Sequence, residues 1–155
     1  MVRTTRIIPF AAVGILLMVA VGTAAGIGGY TFFYADGAAY MTNDPAACAN
    51  CHVMQSQYDG WIKSSHRNVA VCNDCHTPEG PLNKWISKAR NGWNHSKAFT
   101  TGNYPDPIRI NQFNTEIVEQ RCRSCHASIA ETIEAPHHGG EPMSCIRCHH
   151  NVGHP

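Results

Sequence analysis

Charge is scarce in this chain. Lys, Arg, Asp and Glu make up 15% of its 155 residues, and the formal net charge is +1. No basic run or patch is present, which excludes the electrostatic footprint of a nucleic-acid-binding protein. Strand patterns are missing too, since no stretch alternates apolar and polar residues convincingly. No cysteine stands outside a C-x-x-C pair, which disfavours a structural disulfide framework. Between Ile7 and Ala35 no residue carries a charge.

Histidine and cysteine, by contrast, are abundant, with 10 and 8 copies. Every cysteine falls in a C-x-x-C-H repeat: "CANCH" at Cys48, "CNDCH" at Cys72, "CRSCH" at Cys122 and "CIRCH" at Cys145. This pattern reads as c-type haem attachment. Two thiols add across the porphyrin vinyl groups, and the histidine at that spacing falls under the iron. A zinc ribbon or a redox disulfide needs no histidine directly after the second cysteine. With 10 histidines in 155 residues, four such hits would arise by chance roughly twice in 10⁵. The expectation is four haem c, covalently held by Cys48, Cys51, Cys72, Cys75, Cys122, Cys125, Cys145 and Cys148.

Only 120 residues, from Asp36 onward, would enclose these groups. That is too little chain for a conventional core, so the haems themselves would serve as one. Covalent attachment then becomes a requirement for folding. The expected fold is mainly α with extensive loop, short helices and no appreciable sheet.

The uncharged run from Ile7 to Ala35 exceeds the roughly 20 residues that a spanning helix needs. Arg3 and Arg6 precede it and Asp36 follows. The positive-inside rule places residues 1–6 in the cytoplasm, 7–35 in the membrane, and 36–155 in the periplasm of a bacterial inner membrane. Tyr30, Phe32, Phe33 and Tyr34 gather at the outer end, as an aromatic belt does. The competing reading is a cleaved signal peptide with small residues at Thr23–Ala25, but the apolar stretch continues well past that point. Gly22 and Gly26 form G-x-x-x-G, a spacing that allows close helix approach and a homodimer.

The motifs come in two sequence pairs, with a haem-free stretch from Thr77 to Arg121 between them. Pro81 suits a first helical turn, and Leu82, Trp85, Ile86, Ala89 and Trp93 recur at helical spacing. Gly92 weakens that helix, and "TTGNYPDPIRINQFN" reads as a loop. A short helix with Ile117 and Val118 on its buried side leads into the third motif. Another follows it, with Ile129 and Ile133 four apart and Pro136 ending it. Lys84, Lys88, Asn91 and His95 share one polar stripe of the first helix, roughly 16 Å long. The plainest reading of that stripe is a solvated face. Trp85 and Trp93 lie to the side and suit a membrane–water boundary.

Six histidines lie outside the motifs: His66, His95, His137, His138, His150 and His154. Haems commonly take a second imidazole. His154 is too close in sequence to His149 to reach the far side of the same iron, and should serve a neighbour. His150 has no assigned role.

The stretches "DPAACANCHVM", "SSHRNVAVCNDCHTP", "HSKAFTTGN" and "SCIRCHHNVGH", behind an N-terminal anchor, resemble the NapC/NirT/NrfH family of membrane-anchored tetrahaem quinol dehydrogenases. The resemblance runs over nearly the whole chain. It implies oxidation of menaquinol at the outer membrane face and electron delivery to a soluble pentahaem nitrite reductase, which makes ammonia. The same chemistry serving another reductase, such as a nitrate reductase, or a plain tetrahaem carrier, are the alternatives. The family pattern makes His76, His126 and His149 proximal ligands of haems 2, 3 and 4. It implies His66 as distal ligand of haem 4 and His154 of haem 3. For haem 2 it suggests a lysine from the partner, with His137 or His138 the in-chain alternative. At haem 1 the extended motif C-x-x-C-H-x-M makes Met54 the ligand in place of His52, which remains the alternative. The segment "KARNG" matches the family's quinol-site lysine at Lys88. Some members carry an aspartate where His95 stands, so His95 is either a proton acceptor or a distal ligand of haem 1.

Overall fold

The computed structural model describes residues 10–134 and 143–154. It is helical, with no strand among the described residues. The chain divides into two compact units between Ala38 and Ala39.

The first unit is dominated by α1, Phe10–Tyr34, whose 25 residues include no charge and no buried side chain. At 1.5 Å per residue it is about 37 Å long, enough to cross a hydrocarbon layer of about 30 Å. Gly22 and Gly26 both face open space.

The second unit opens with a 3-10 turn through Tyr40 and then α2, Pro45–Cys48. Asp44 caps α2 by accepting the Ala46 N–H at 2.9 Å, and Pro45 fills the first turn, where no amide is needed. A 3-10 turn, His52–Met54, runs into α3, Gln55–Lys63; then come α4, Cys72–His76, and α5, Pro81–Thr101. The chain finishes with α6, Gln112–Cys125, α7, Ala127–Glu134, and α8, Cys145–Cys148.

Two expectations from the sequence change in the structure. The loop expected over residues 100–114 is shorter at both ends: α5 continues to Thr101 and is closed by Gly102 at φ 67, the left-handed stop that glycine makes cheap. The expected loop therefore shrinks to residues 102–111, and Asn111 caps α6 by accepting the Asn114 N–H at 3.0 Å. Gly92 does not weaken α5 in place. A Cβ there would stand 3.4 Å from the Tyr40 ring, so the glycine lets that ring lie against the helix. This is a tertiary contact, which periodicity cannot weigh. Pro136, His137 and His138 lie outside the described residues.

The polypeptide buries little of itself. Among the described residues Ile117, at 5% exposure, is the one buried apolar side chain. A chain with so small a core of its own suits one folded around large apolar groups.

Candidate functional site

In three of the four motifs a helix presents the ligating residues. α4 contains the whole of Cys72–His76, α6 ends at Cys125 with His126 as its cap, and α8 ends at Cys148 with His149 as its cap. Cysteines three apart on a helix share a face, and the histidine after the second follows as the helix ends. The first motif breaks this pattern. Cys48 ends α2, Cys51 is extended at φ −83 and ψ 116, and His52 and Met54 share the next 3-10 turn. All eight thiols are free. Among the described residues no three His, Cys, Asp or Glu side chains converge as a bare-ion site would require. The residues therefore fit covalent haem better than zinc.

The motifs are fastened to one another in chain order, and the residues between the cysteines do much of the fastening. Asn73, inside the second motif, donates to the Thr42 carbonyl at 3.0 Å and to Asn43 Oδ1 at 2.9 Å, just ahead of the first motif. Arg121, just before the third motif, donates from Nε to the Asp74 carbonyl at 2.7 Å and pairs with Glu79, which also accepts from Ser124 Oγ. Glu119 and Arg123 then hold the fourth motif. Glu119 accepts from Ser144 Oγ at 2.6 Å, Cys145 N at 2.9 Å and Ile146 N at 3.3 Å. Arg123 pairs with Glu119 and Glu134 and donates to the Met143 carbonyl at 2.6 Å. Sequence reading missed these clasps. The available signal was the polar residues inside the motifs, Asn73, Asp74, Arg123 and Ser124.

Burial alone would raise the Glu119 pKa, but the hydrogen bonds from Ser144, Cys145 and Ile146 outweigh it and hold the carboxyl below its ordinary value. A depressed folded-state pKa contributes stability that is complete above the ordinary carboxylate range and is lost as pH falls through the depressed value, below about pH 4. Glu119→Ala removes a charged acceptor from three donors and strands Arg123. It should lower the unfolding free energy of the holoprotein by roughly 2–3 kcal/mol at neutral pH. Thermal unfolding followed by haem absorbance checks this, and the deficit should shrink as pH falls below the ordinary carboxylate range and the native carboxylate takes up its proton. A deficit that does not change with pH would assign the loss to packing.

Two histidine pairs stand out. The rings of His76 and His154 have centroids 5.8 Å apart and planes within 10°. Those of His66 and His126 are 6.1 Å apart with planes at 82°. Two imidazoles on one metal, with bonds of about 2 Å, place ring centres roughly 6 Å apart. The His66 Nδ1 lies 3.2 Å from the Val152 carbonyl, a contact that puts the proton on Nδ1 and leaves Nε2 for a metal. Burial, with His154 adding, lowers the His76 pKa to about 4, so the ring is neutral, the form a metal binds. The family-implied ligand partnering sets His66 with His149 and His154 with His126.

The polar stripe of α5 is not a solvated face. Lys88 is 6% exposed and donates from Nζ to the carbonyls of Tyr40 at 2.8 Å and Thr42 at 3.0 Å. The Tyr40 and Trp85 rings each lie 5.6 Å from its ammonium. Lys84 Nζ donates to Asn43 Oδ1 at 3.0 Å, and Asn91 exchanges amide hydrogen bonds of 3.0 and 3.2 Å with Asn114. Burial, then the Lys84 charge, lowers the Lys88 pKa, while Cys48 opposes this. His95 lies two turns further on, and burial lowers its pKa, which keeps the ring neutral at pH 7.

Comparison with known proteins agrees with this geometry. Residues 9–155 match the family model of the NapC/NirT cytochrome c family, N-terminal region. The chain is 40% identical over 125 residues to cytochrome c-type protein NrfH of Wolinella succinogenes, covering 74% of this chain and 71% of that protein. It also resembles, with a TM-score of 0.62 and 28% identity over 86% of this chain and 88% of the other, a crystal structure of the cytochrome c nitrite reductase NrfHA complex bound to the HQNO inhibitor. Motif presentation, the apolar N-terminal helix and these likenesses place the chain in one group: it belongs to the NapC/NirT cytochrome c family.

Proposed function

We propose that this membrane-anchored cytochrome takes electrons from menaquinol and passes them, through four covalently bound haems c, to a periplasmic pentahaem nitrite reductase. The observation that carries the reading is the ordered fastening of the motifs, first to second to third to fourth, behind a helix long enough to span a bilayer. Such an array connects a donor dissolved in lipid to an acceptor in water. The related complex, described as a nitrite reductase, supplies the candidate acceptor.

Bound haem supplies one-electron transfer at its iron. The chain's own residues supply the rest. A lysine ammonium has three N–H donors; Lys88 uses two on the carbonyls of Tyr40 and Thr42, and the third serves a quinol oxygen. Two protons leave as quinol gives up two electrons, and His95 accepts one of them. His66, His76, His126, His149 and His154 would hold haem iron through their imidazole nitrogens, and the rings of His66 and His126, and of His76 and His154, lie close enough to act together. Met54 would serve the first motif in place of His52; the helix breaks between Cys48 and Cys51, and both residues lie in the 3-10 turn that follows, where the Met54 backbone N–H donates to the Cys51 carbonyl at 2.8 Å.

Three measurements test this. The mature mass should exceed the polypeptide by four haems, and acid acetone should leave the colour on the protein; a colourless protein refutes covalent attachment. Met54→Leu should change the high-spin part of the spectrum, while His52→Ala leaves it. The reverse result returns the ligand role to His52. For the function itself, a menaquinol analogue should drive nitrite reduction to ammonium only when the holoprotein and a pentahaem reductase are both present. Delivery to a nitrate reductase with none to the nitrite enzyme would overturn the choice of acceptor.

A further inference from the structure

α5 is amphipathic in the opposite sense to a helix of a water-soluble domain. Its polar stripe packs inward: Ser87 and Lys88 are buried, and Lys84 and Asn91 bond to Asn43 and Asn114. Its apolar stripe faces out. Leu82 is 71% exposed, Ile86 56% and Trp93 72%, with Trp85 and Ala89 completing the row. At 100° per residue these five fall within about 100° of arc, one continuous strip some three turns long. A strip of that size, holding two tryptophans, is not left against water without a use.

The charge on α5 says what covers it. The helix holds Lys84, Lys88, Arg90 and Lys97 and not one Asp or Glu, in a chain whose net charge is only +1. Lys84 and Lys88 are committed to the inward face, but Arg90 and Lys97 are exposed and flank the apolar strip, where cations of a helix lying in a bilayer interface meet anionic headgroups. Covalent connection keeps the bilayer within reach. Lys88 is hydrogen-bonded to Tyr40, and from Tyr34, the last residue of α1, to Tyr40 the fully extended chain spans about 20 Å at most. The polar stripe rules out a second spanning helix.

We infer that α5 lies flat in the membrane interface, with Leu82, Trp85, Ile86, Ala89 and Trp93 inserted among the acyl chains of anionic lipid. This requires the anchor and nothing of the quinol reading. It gives the protein a second attachment, which fixes the height of the first and second motifs over the bilayer rather than leaving them to swing on a linker.

The test uses the full-length holoprotein in nanodiscs of phosphatidylcholine and phosphatidylglycerol that carry a photoactivatable diazirine at the acyl-chain end. Adducts are mapped by peptide mass spectrometry, with α1 as the internal positive control. Adducts are expected on α1 and on the Leu82–Trp93 row, in an excess over α6 and α7 on the order of tenfold. Trp85→Ser combined with Trp93→Ser should remove most of the α5 adducts, while α1 labelling and the haem spectrum stay unchanged. Labelling of α1 alone overturns the proposal. So does equal labelling of α7, whose Ile129 and Ile133 are also exposed, and so does loss of the α5 adducts on adding the reductase, which would make the strip a protein interface.

Discussion

Lys88→Leu should stop reduction by a menaquinol analogue, while dithionite still reduces every haem. The reason lies in where the ammonium sits. It is 6% exposed and bonded to two backbone carbonyls. A buried cation of that kind is held in place before any substrate arrives. Quinol oxygen becomes more negative as its proton leaves, so a fixed donor stabilises the later state more than the earlier one. Removing one such donor costs about 10²–10³ in rate. Leucine also deprives the Tyr40 and Thr42 carbonyls of their partner, so looser structure alone could slow the reaction. Lys84→Leu separates the two causes. It takes a neighbouring cation away from Asn43 in the same segment yet leaves the Lys88 donor intact. Near-normal quinol reduction in Lys84→Leu, with loss in Lys88→Leu, supports the site. Equal loss in both assigns the effect to the segment, and unchanged rates in Lys88→Leu place quinol elsewhere.

His66→Ala and His154→Ala should each turn one low-spin haem of the four into a high-spin one, and the two variants should affect different haems. The expected signals differ because the ring planes differ. The planes of His66 and His126 stand at 82°, and near-perpendicular imidazoles on one iron give a highly anisotropic low-spin resonance. Those of His76 and His154 lie within 10°, an arrangement that gives an ordinary rhombic one. His66→Ala should therefore erase an anisotropic signal and His154→Ala a rhombic signal, read by paramagnetic resonance of the oxidised holoprotein. Each change should be confined to about a quarter of the total iron. A crystal structure of the haem-loaded protein with His66 and His149 on one iron would restore the family-implied partnering.

The sequence alone was enough for the chemistry. Thiol spacing and the histidine that follows are local properties, so "CNDCH" means the same thing in any fold. A run of apolar residues as long as the one around Leu16 and Val21 likewise declares a spanning helix without reference to anything else. Helical periodicity found α5 and the helices on either side of the third motif for the same reason, since period is a property of neighbours in the chain.

Tertiary structure decided the rest. Periodicity gives two faces of α5 but not which one turns inward. That depended on Tyr40, Thr42 and Asn43 lying against Lys84 and Lys88, some forty residues away in the chain. The end of α5 is set by the left-handed stop at Gly102. Histidine partnering was beyond any spacing rule, because His66 meets His126 and His76 meets His154 across long loops. The clasps were hidden in the same way: Asn73, Arg121 and Glu119 are ordinary polar residues until the fold brings their partners within 3 Å. What is written in neighbouring residues can be read from the chain, and what depends on distant residues meeting is settled only when the chain closes on itself.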